Sequence, residues 1–499
     1  MFRNIFIIML SLLLSTSSFS LPTFLETKFN AQDVSAMEIR WGIKLQLSSA
    51  HQWRLKHSQY GSKYWIESAR FLARRSGAIA WQLANYYKFD AKKHPISHRN
   101  HLYWLQRAIT LNDEDALLFE AHRLSAINEY EQASLLFKRI DQHTALIEKI
   151  LFEIKFGYLN KAKKNLSMLS ELNSSVAQTE HGQILEQLNR YQVLTQRKNV
   201  SLLSGITHSN CRYTIQFFAS NVEDLVQIED NLTEISKNPF FKQQFCFTTP
   251  KYINPRSLEC DHNSNERINC KQLAFSDVDI ADNVRYLGLV APSGGAYVDH
   301  GMLFIDNKDD RLVIEHELLH LIGFIDEYSL SPIHSVCQRD DNTALANNIV
   351  KLDIERLVKQ NGNDSHRLRK AILDVLPWRE QIQNTTPLTQ VVDGQLVIGT
   401  PDNYREKVGV YAAQTCRAQN IRTFKPQMSS TQMQYYEENL PEVYQQLAAK
   451  QDYLMPSYHY NIALRYKLAM HDMAYVWKDK AVTFEKDHKR IERIKKFLY

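Results

Sequence analysis

The sequence predicts a multidomain fold: an all-α helical-repeat region, then an α+β domain, then a short helical segment that closes the chain. From about residue 30 to 200 glycine and proline are scarce, and apolar residues recur three and four apart, the period of helices packed along one side. Past residue 205 short β-branched and aromatic runs take over, such as Tyr213-Thr214-Ile215-Gln216-Phe217-Phe218, broken by turn residues. From Pro456 onward the helical pattern returns. At 499 residues the chain is too long for one ordinary domain. The expected divisions are 1–20, 21–205, 206–450 and 451–499.

In the helical region, Asn128-Glu129-Tyr130-Glu131-Gln132-Ala133 lines up with Gly157-Tyr158-Leu159-Asn160-Lys161-Ala162, an offset of 29 residues. Phe137 then matches Leu166, and Ile140 matches Leu169. Ala80-Trp81-Gln82-Leu83-Ala84 and Trp104-Leu105-Gln106-Arg107-Ala108 have the small-and-aromatic composition of stacked helix pairs. The stretch resembles the tetratricopeptide and Sel1-like repeat families. That resemblance implies a concave surface on which a protein partner docks. The alternative is an irregular helical domain with no binding role.

The α+β region predicts strands at Tyr213–Phe218, Phe245–Thr249, Tyr286–Val290 and Tyr297–Ile305, and an apolar helix from about Leu312. Further helices are expected over Leu345–Gln360 and Arg367–Val375. A hairpin on the Asp393-Gly394 turn is expected within Val391–Ile398.

The N-terminus reads as a secretory signal. Arg3 precedes an apolar run from Ile5 to Leu14, and Ser18-Phe19-Ser20 fits a cleavage site. The run is short for a membrane span. Six cysteines, all at or after Cys211, fit an oxidising compartment. Cys260–Cys270 and Cys337–Cys416 are the expected pairs among fifteen pairings. Together these predict a periplasmic or secreted protein without stable membrane insertion. The net charge is +5, and an excess of four lies in the tail from Lys478 onward. That run reads as a solvated helix face with Ile491, Ile494 and Leu498 inward, so no nucleic-acid partner is indicated. No phosphate-cradling glycine loop or Gly-x-Ser-x-Gly elbow occurs.

The chemistry-bearing segment is Glu315-His316-Glu317-Leu318-Leu319-His320-Leu321-Ile322-Gly323-Phe324-Ile325-Asp326-Glu327-Tyr328. Histidines four apart share one helix face, so both imidazoles reach one zinc ion. Glu317, beside the first, is placed as general base. Gly323 sits where the helix must stop and turn. Asp326 follows at a spacing that returns a third ligand and leaves a fourth position open, the catalytic arrangement. Glu327 is the rival third ligand, and a distant Glu355 is a weaker one. The alternative to a metal site is a core helix with two satisfied histidines.

The form His-Glu-x-x-His-x-x-Gly-x-x-Asp resembles the metzincin clan, with Asp in place of the more usual third His. The resemblance implies a substrate-pairing edge strand, placed at Tyr297–Ile305, and a turn with a Met beneath the zinc. Met433 is the best candidate for that Met, ahead of Met428 and Met455. Ser430-Thr431-Gln432-Met433-Gln434-Tyr435 is similar to the Met-x-Tyr of astacin-like and serralysin-like enzymes, which makes Tyr435 the oxyanion donor. Asp326-Glu327-Tyr328, Trp378, Gly409-Val410-Tyr411, Lys425-Pro426 and Met433 resemble the pieces of bacterial IgA-peptidase-type metallopeptidases. Asp299-His300 and His334 lie nearby in sequence as minor candidates.

The reading is an exported zinc metalloendopeptidase with one zinc per chain, acting on a protein or peptide substrate. Its metal ligands are His316, His320 and Asp326, and its catalytic residues Glu317 and Tyr435. The rival from another class is an envelope scaffold working through its repeats, with a catalytically silent zinc domain. An amidase of cell-wall peptides would use the same chemistry.

Overall fold

The computed structural model describes residues 21–90, 95–140, 144–171, 175–195, 211–261, 266–361, 364–450 and 452–497. The expected signal and the expected division at 205/206 lie outside these residues. The chain separates into two compact units, Met1–Phe152 and Glu153–Tyr499. An N-terminal helical region and an α/β region with a mixed sheet are therefore both present.

In the first unit consecutive helices pack as pairs, Gly77–Asp90 with Pro95–Thr110 and Glu114–Ala126 with Tyr130–Phe137. Small side chains let them approach closely: Ala69, Ala73, Ala80, Ala84, Ala108 and Ala121 are fully buried. The 29-residue offset has a structural counterpart. Asn128 and Gly157 both adopt positive φ, each two residues before a helix, Tyr130–Phe137 and Leu159–Ser170.

The second unit begins with helical residues that the sequence pattern groups with the repeats. They are bonded to the sheet: Tyr252 donates its hydroxyl to the Ile154 carbonyl at 2.8 Å and its N–H to the Tyr191 carbonyl at 2.9 Å.

The main sheet contains β1 (Tyr213–Ala219), β2 (Phe245–Phe247), β3 (Lys251–Tyr252), β4 (Val284–Ala291), β5 (Tyr297–Asp299) and β6 (Met302–Asp306). The order is β2-β1-β4-β6-β5, with β3 also on β1. All pairs are parallel except β5 on β6. Every residue of β4 and β6 is buried, as parallel strands covered on both faces require. Leu287 and Leu289 join one cluster with Tyr458, Ile462 and Trp477 of the closing helices. Tyr286, one residue before Leu287, points to the opposite face and donates its hydroxyl to the Leu321 carbonyl at 3.2 Å. The C-terminal helices thus complete the core of the sheet. Ile494 is buried in the same cluster as expected, and Leu498 lies outside the described residues.

A smaller sheet runs β11-β12-β8-β7, with β7 (Thr343–Ala344), β8 (Val350–Lys351), β11 (Tyr411–Ala413) and β12 (Thr423–Lys425). Between them in sequence, β9 (Thr389–Val392) and β10 (Gln395–Ile398) form the expected hairpin, with Asp393 and Gly394 at positive φ. Both expected disulfides are present, and Cys211–Cys246 is the third. Among the described residues no helix is long and apolar enough to cross a membrane.

Two expectations are corrected. Tyr297–Ile305 is a hairpin rather than one strand, because His300 and Gly301 both take positive φ. A Cβ on Gly301 would lie 2.4 Å from the Pro456 carbonyl oxygen, so the turn needs glycine. The helix expected over Leu345–Gln360 is confined to Ile354–Asn361. The residues before it are held extended, since Asn347 and Asn348 bond the main chain of Ile322 and Ile325.

Asp299 locks the edge hairpin to the closing helices, bonding Arg465 at 2.6 Å and Asn461 at 3.0 Å beside His300. Burial opposes its ionisation, but His300, Arg465 and Asn461 outweigh it and hold its pKa down to about 2, from an ordinary 3.8. A carboxyl with a depressed folded pKa stabilises above its unfolded pKa and loses that contribution as pH falls through the folded value. Asp299→Asn is predicted to cost roughly 2 kcal/mol at neutral pH, with the deficit shrinking below about pH 4 and gone near pH 2. Denaturant melts across that range check this, and equal stability at pH 7 contradicts it.

Candidate metal centre

The helix Arg311–Leu321 follows β6 after a short turn. Asp310 caps it, accepting from the N–H groups of Leu312 at 2.9 Å and Val313 at 3.2 Å. At the other end the Phe324 N–H donates to the Leu319 carbonyl and the Gly323 N–H to the His320 carbonyl. This is a Schellman cap, and it requires a left-handed residue at Gly323, whose φ is +94°. A Cβ there would meet Asn347 Nδ2 and the Tyr453 carbonyl, both at 2.7 Å.

The reversal brings Asp326 back over the helix. Its Oδ1 lies 3.0 Å from His316 Nε2 and 3.3 Å from His320 Nε2. Both rings are oriented from behind: His316 Nδ1 bonds the Gln432 carbonyl at 2.8 Å and His320 Nδ1 the Phe324 carbonyl at 3.0 Å. A carbonyl accepts only from Nδ1–H, which leaves each Nε2, facing Asp326, as the ring atom open to a metal ion. Gln432 is itself anchored, its amide donating to Glu315 at 3.1 Å.

Glu317 belongs to the same cluster; one ligand atom each from His316, Glu317 and His320 lie within 4.8 Å of one another. Its Oε2 is buried without a hydrogen-bond partner among the described residues, and burial pushes its pKa up. Burial pushes His320 down, but Asp326 and Glu317 outweigh it and raise it to about 9. Asp326 is held well below the usual range, the histidines overcoming its burial. Two ring nitrogens and two carboxylates, one of them unpartnered at Glu317 Oε2, converge in one buried cluster that could hold a divalent cation. The donor set suits zinc.

The expected residues are placed as follows. His316, Glu317, His320 and Asp326 come together. Glu327 is fully turned away, its carboxylate bonded to Lys425 and Thr431, so it is not a ligand here. Glu355 stands exposed on the helix Ile354–Asn361, its main chain capped by Asp353. Met433 is buried in the turn behind His316, and its carbonyl accepts the Glu327 N–H at 2.9 Å. Met428 is 45% exposed, and the Met455 N–H bonds the Leu321 carbonyl at the helix end. Trp378 is buried and donates to the Gly409 carbonyl at 2.7 Å. Asp299 and His300 are tied to the closing helices, and the His334 Nδ1 accepts from Val336 N–H.

Tyr435 is 54% exposed, whereas Tyr436 sets its ring edge-to-face on His316, centroids 5.0 Å apart. Burial, with the charges of Glu317 and Asp326, pushes the Tyr436 phenol up. Burial and then Asp326 do the same to Tyr328. The phenols flanking the centre are therefore Tyr436 and Tyr328. Sequence spacing could not choose between adjacent tyrosines in a turn, and Tyr328 carried only the signal of its place beside Asp326-Glu327.

Gly323→Ala is predicted to lower stability by at least roughly 1–2 kcal/mol through the left-handed backbone alone, with the Asn347 and Tyr453 contacts adding to it. Chemical denaturation checks this, and an unchanged midpoint contradicts it. No protein-family model matches this chain, and no curated protein matches it either.

Proposed function

We propose that the second unit is a zinc metallopeptidase acting on protein or peptide substrates, with one zinc held by His316, His320 and Asp326. The observation that carries this is the convergence of two carbonyl-oriented imidazoles and one carboxylate beside a buried carboxylate with no partner. A structural metal site would close on its ligands and has no use for the orphaned Glu317. When bound, zinc supplies the Lewis acidity that acidifies a water and polarises a carbonyl.

The residues divide the remaining work. Glu317 is placed to take a proton from the attacking water at its free Oε2 and deliver it to the leaving amine. Its raised pKa brings that oxygen nearer the working pH of a proton carrier. Tyr436 offers a phenol O–H to the carbonyl oxygen as negative charge develops there. The outer edge of β5 is the end of the sheet order, and pairing along it would hold an extended peptide. Three disulfides fit work in the periplasm or outside the cell. The helical unit is assigned the docking of a protein partner, on the Sel1/tetratricopeptide-like pattern of its pairs.

Three outcomes test the assignment. Glu317→Gln is predicted to keep zinc but cut turnover of an unfolded protein substrate by 10²-fold or more, roughly the contribution of a positioned base. Retained turnover rejects the role. Tyr436→Phe is predicted to lower kcat by about 10²-fold, as loss of an oxyanion donor does, while Tyr435→Phe stays near wild type. The reverse order would restore Tyr435 as the donor. Turnover that survives a strong chelator would leave the zinc domain silent.

A further inference from the structure

Glu327 follows the third ligand and is wholly buried, as is its ion-pair partner Lys425, with side-chain exposures of 0% and 4%. Its Oε2 accepts from Lys425 Nζ at 2.8 Å and Thr431 Oγ1 at 3.0 Å. Its Oε1 accepts from the Tyr444 hydroxyl and from Asn348 Nδ2 at 3.3 Å. The main chain is equally engaged: the N–H donates to the Met433 carbonyl at 2.9 Å and the carbonyl accepts the Gln414 N–H at 3.1 Å. One carboxylate thus joins β12, the turn carrying Met433, the helix Glu442–Leu447 and the loop at Asn348.

A buried ion pair is a weak source of stability, because desolvating both charges offsets their attraction. Its effect here is geometric. Glu327 is covalently next to Asp326, so fixing it fixes where Oδ1 points. Through Thr431 it also holds the residue before Gln432, whose carbonyl aims His316. One ligand, Asp326, and the Gln432 carbonyl that aims another, His316, lie more than a hundred residues apart in sequence and are set against each other by a single side chain.

We propose that Glu327, with Lys425, is a positioning residue that sets the zinc affinity of the centre by locking Asp326 and the Gln432 carbonyl in register. This rests on the metal-site reading above, and its readout is affinity rather than activity. Zinc dissociation constants would be measured on the full mature chain by competition with a chromophoric chelator, alongside thermal melts. Glu327→Gln is expected to bind zinc about 10–100-fold more weakly, the usual effect of losing a residue that orients a ligand. The double variant Glu327→Met with Lys425→Met removes both charges, so it is expected to regain thermal stability while its zinc affinity stays low. Tyr444→Phe, which leaves no charge unpaired, is expected to stay folded and fall between. Wild-type zinc affinity in the folded double variant and in Tyr444→Phe would overturn the proposal and leave the pair as a stabiliser of the fold. A wild-type protein that binds no zinc would overturn the metal-site reading first, and this proposal with it.

Discussion

The whole centre depends on one chain reversal. The helix Arg311–Leu321 can present His316 and His320 on one face by its own period, but it cannot supply a third ligand of suitable reach. Gly323, in a left-handed conformation packed against Asn347 and Tyr453, ends the helix within one residue and sends the chain back. Asp326 arrives three residues later with its carboxylate against both imidazoles. A helix running one turn further would place Asp326 on a continuing helical face instead. The surrounding architecture keeps this reversal in place. Asn347 donates to the Ile322 carbonyl at 3.0 Å, and the Asn347 N–H bonds the Gly323 carbonyl at 2.9 Å.

Two neighbouring glutamates are buried in opposite ways. Glu317 Oε2 is buried without a hydrogen-bond partner among the described residues, an arrangement that costs free energy and that a core helix would avoid. Glu327, one residue beyond the third ligand, is as deeply buried but saturated with donors. That contrast is the basis of the roles proposed above, Glu317 as proton carrier and Glu327 as positioning residue. The parallel strands β4 and β6, covered on both faces, give the rigid platform from which the helix emerges.

Much of this was legible in the sequence, and the reasons are local. The histidine spacing, Gly323 and Asp326 encode a helix, a stop and a return, because helical period and glycine's φ freedom act over a few residues. The Asp393-Gly394 hairpin and the Cys260–Cys270 disulfide, ten residues apart, were readable on similar grounds, whereas Cys337–Cys416 spans 79 residues and has no such local signal. What was not legible depends on distant partners. The break at His300-Gly301 is set by the Pro456 main chain, and the extended run before Ile354 by asparagines that bond another segment. That Tyr436 and not Tyr435 sets its ring on His316 turns on the phase of a single turn, whose Gln432 carbonyl bonds His316.

The most direct test of the account is the metal content of the purified mature protein, compared with a variant carrying His316→Ala and His320→Ala. Close to one zinc per chain is expected in the wild type and none in the double variant, with both folded. A folded wild-type protein without zinc would contradict it, making Arg311–Leu321 an ordinary core helix and leaving the helical unit as the guide to function.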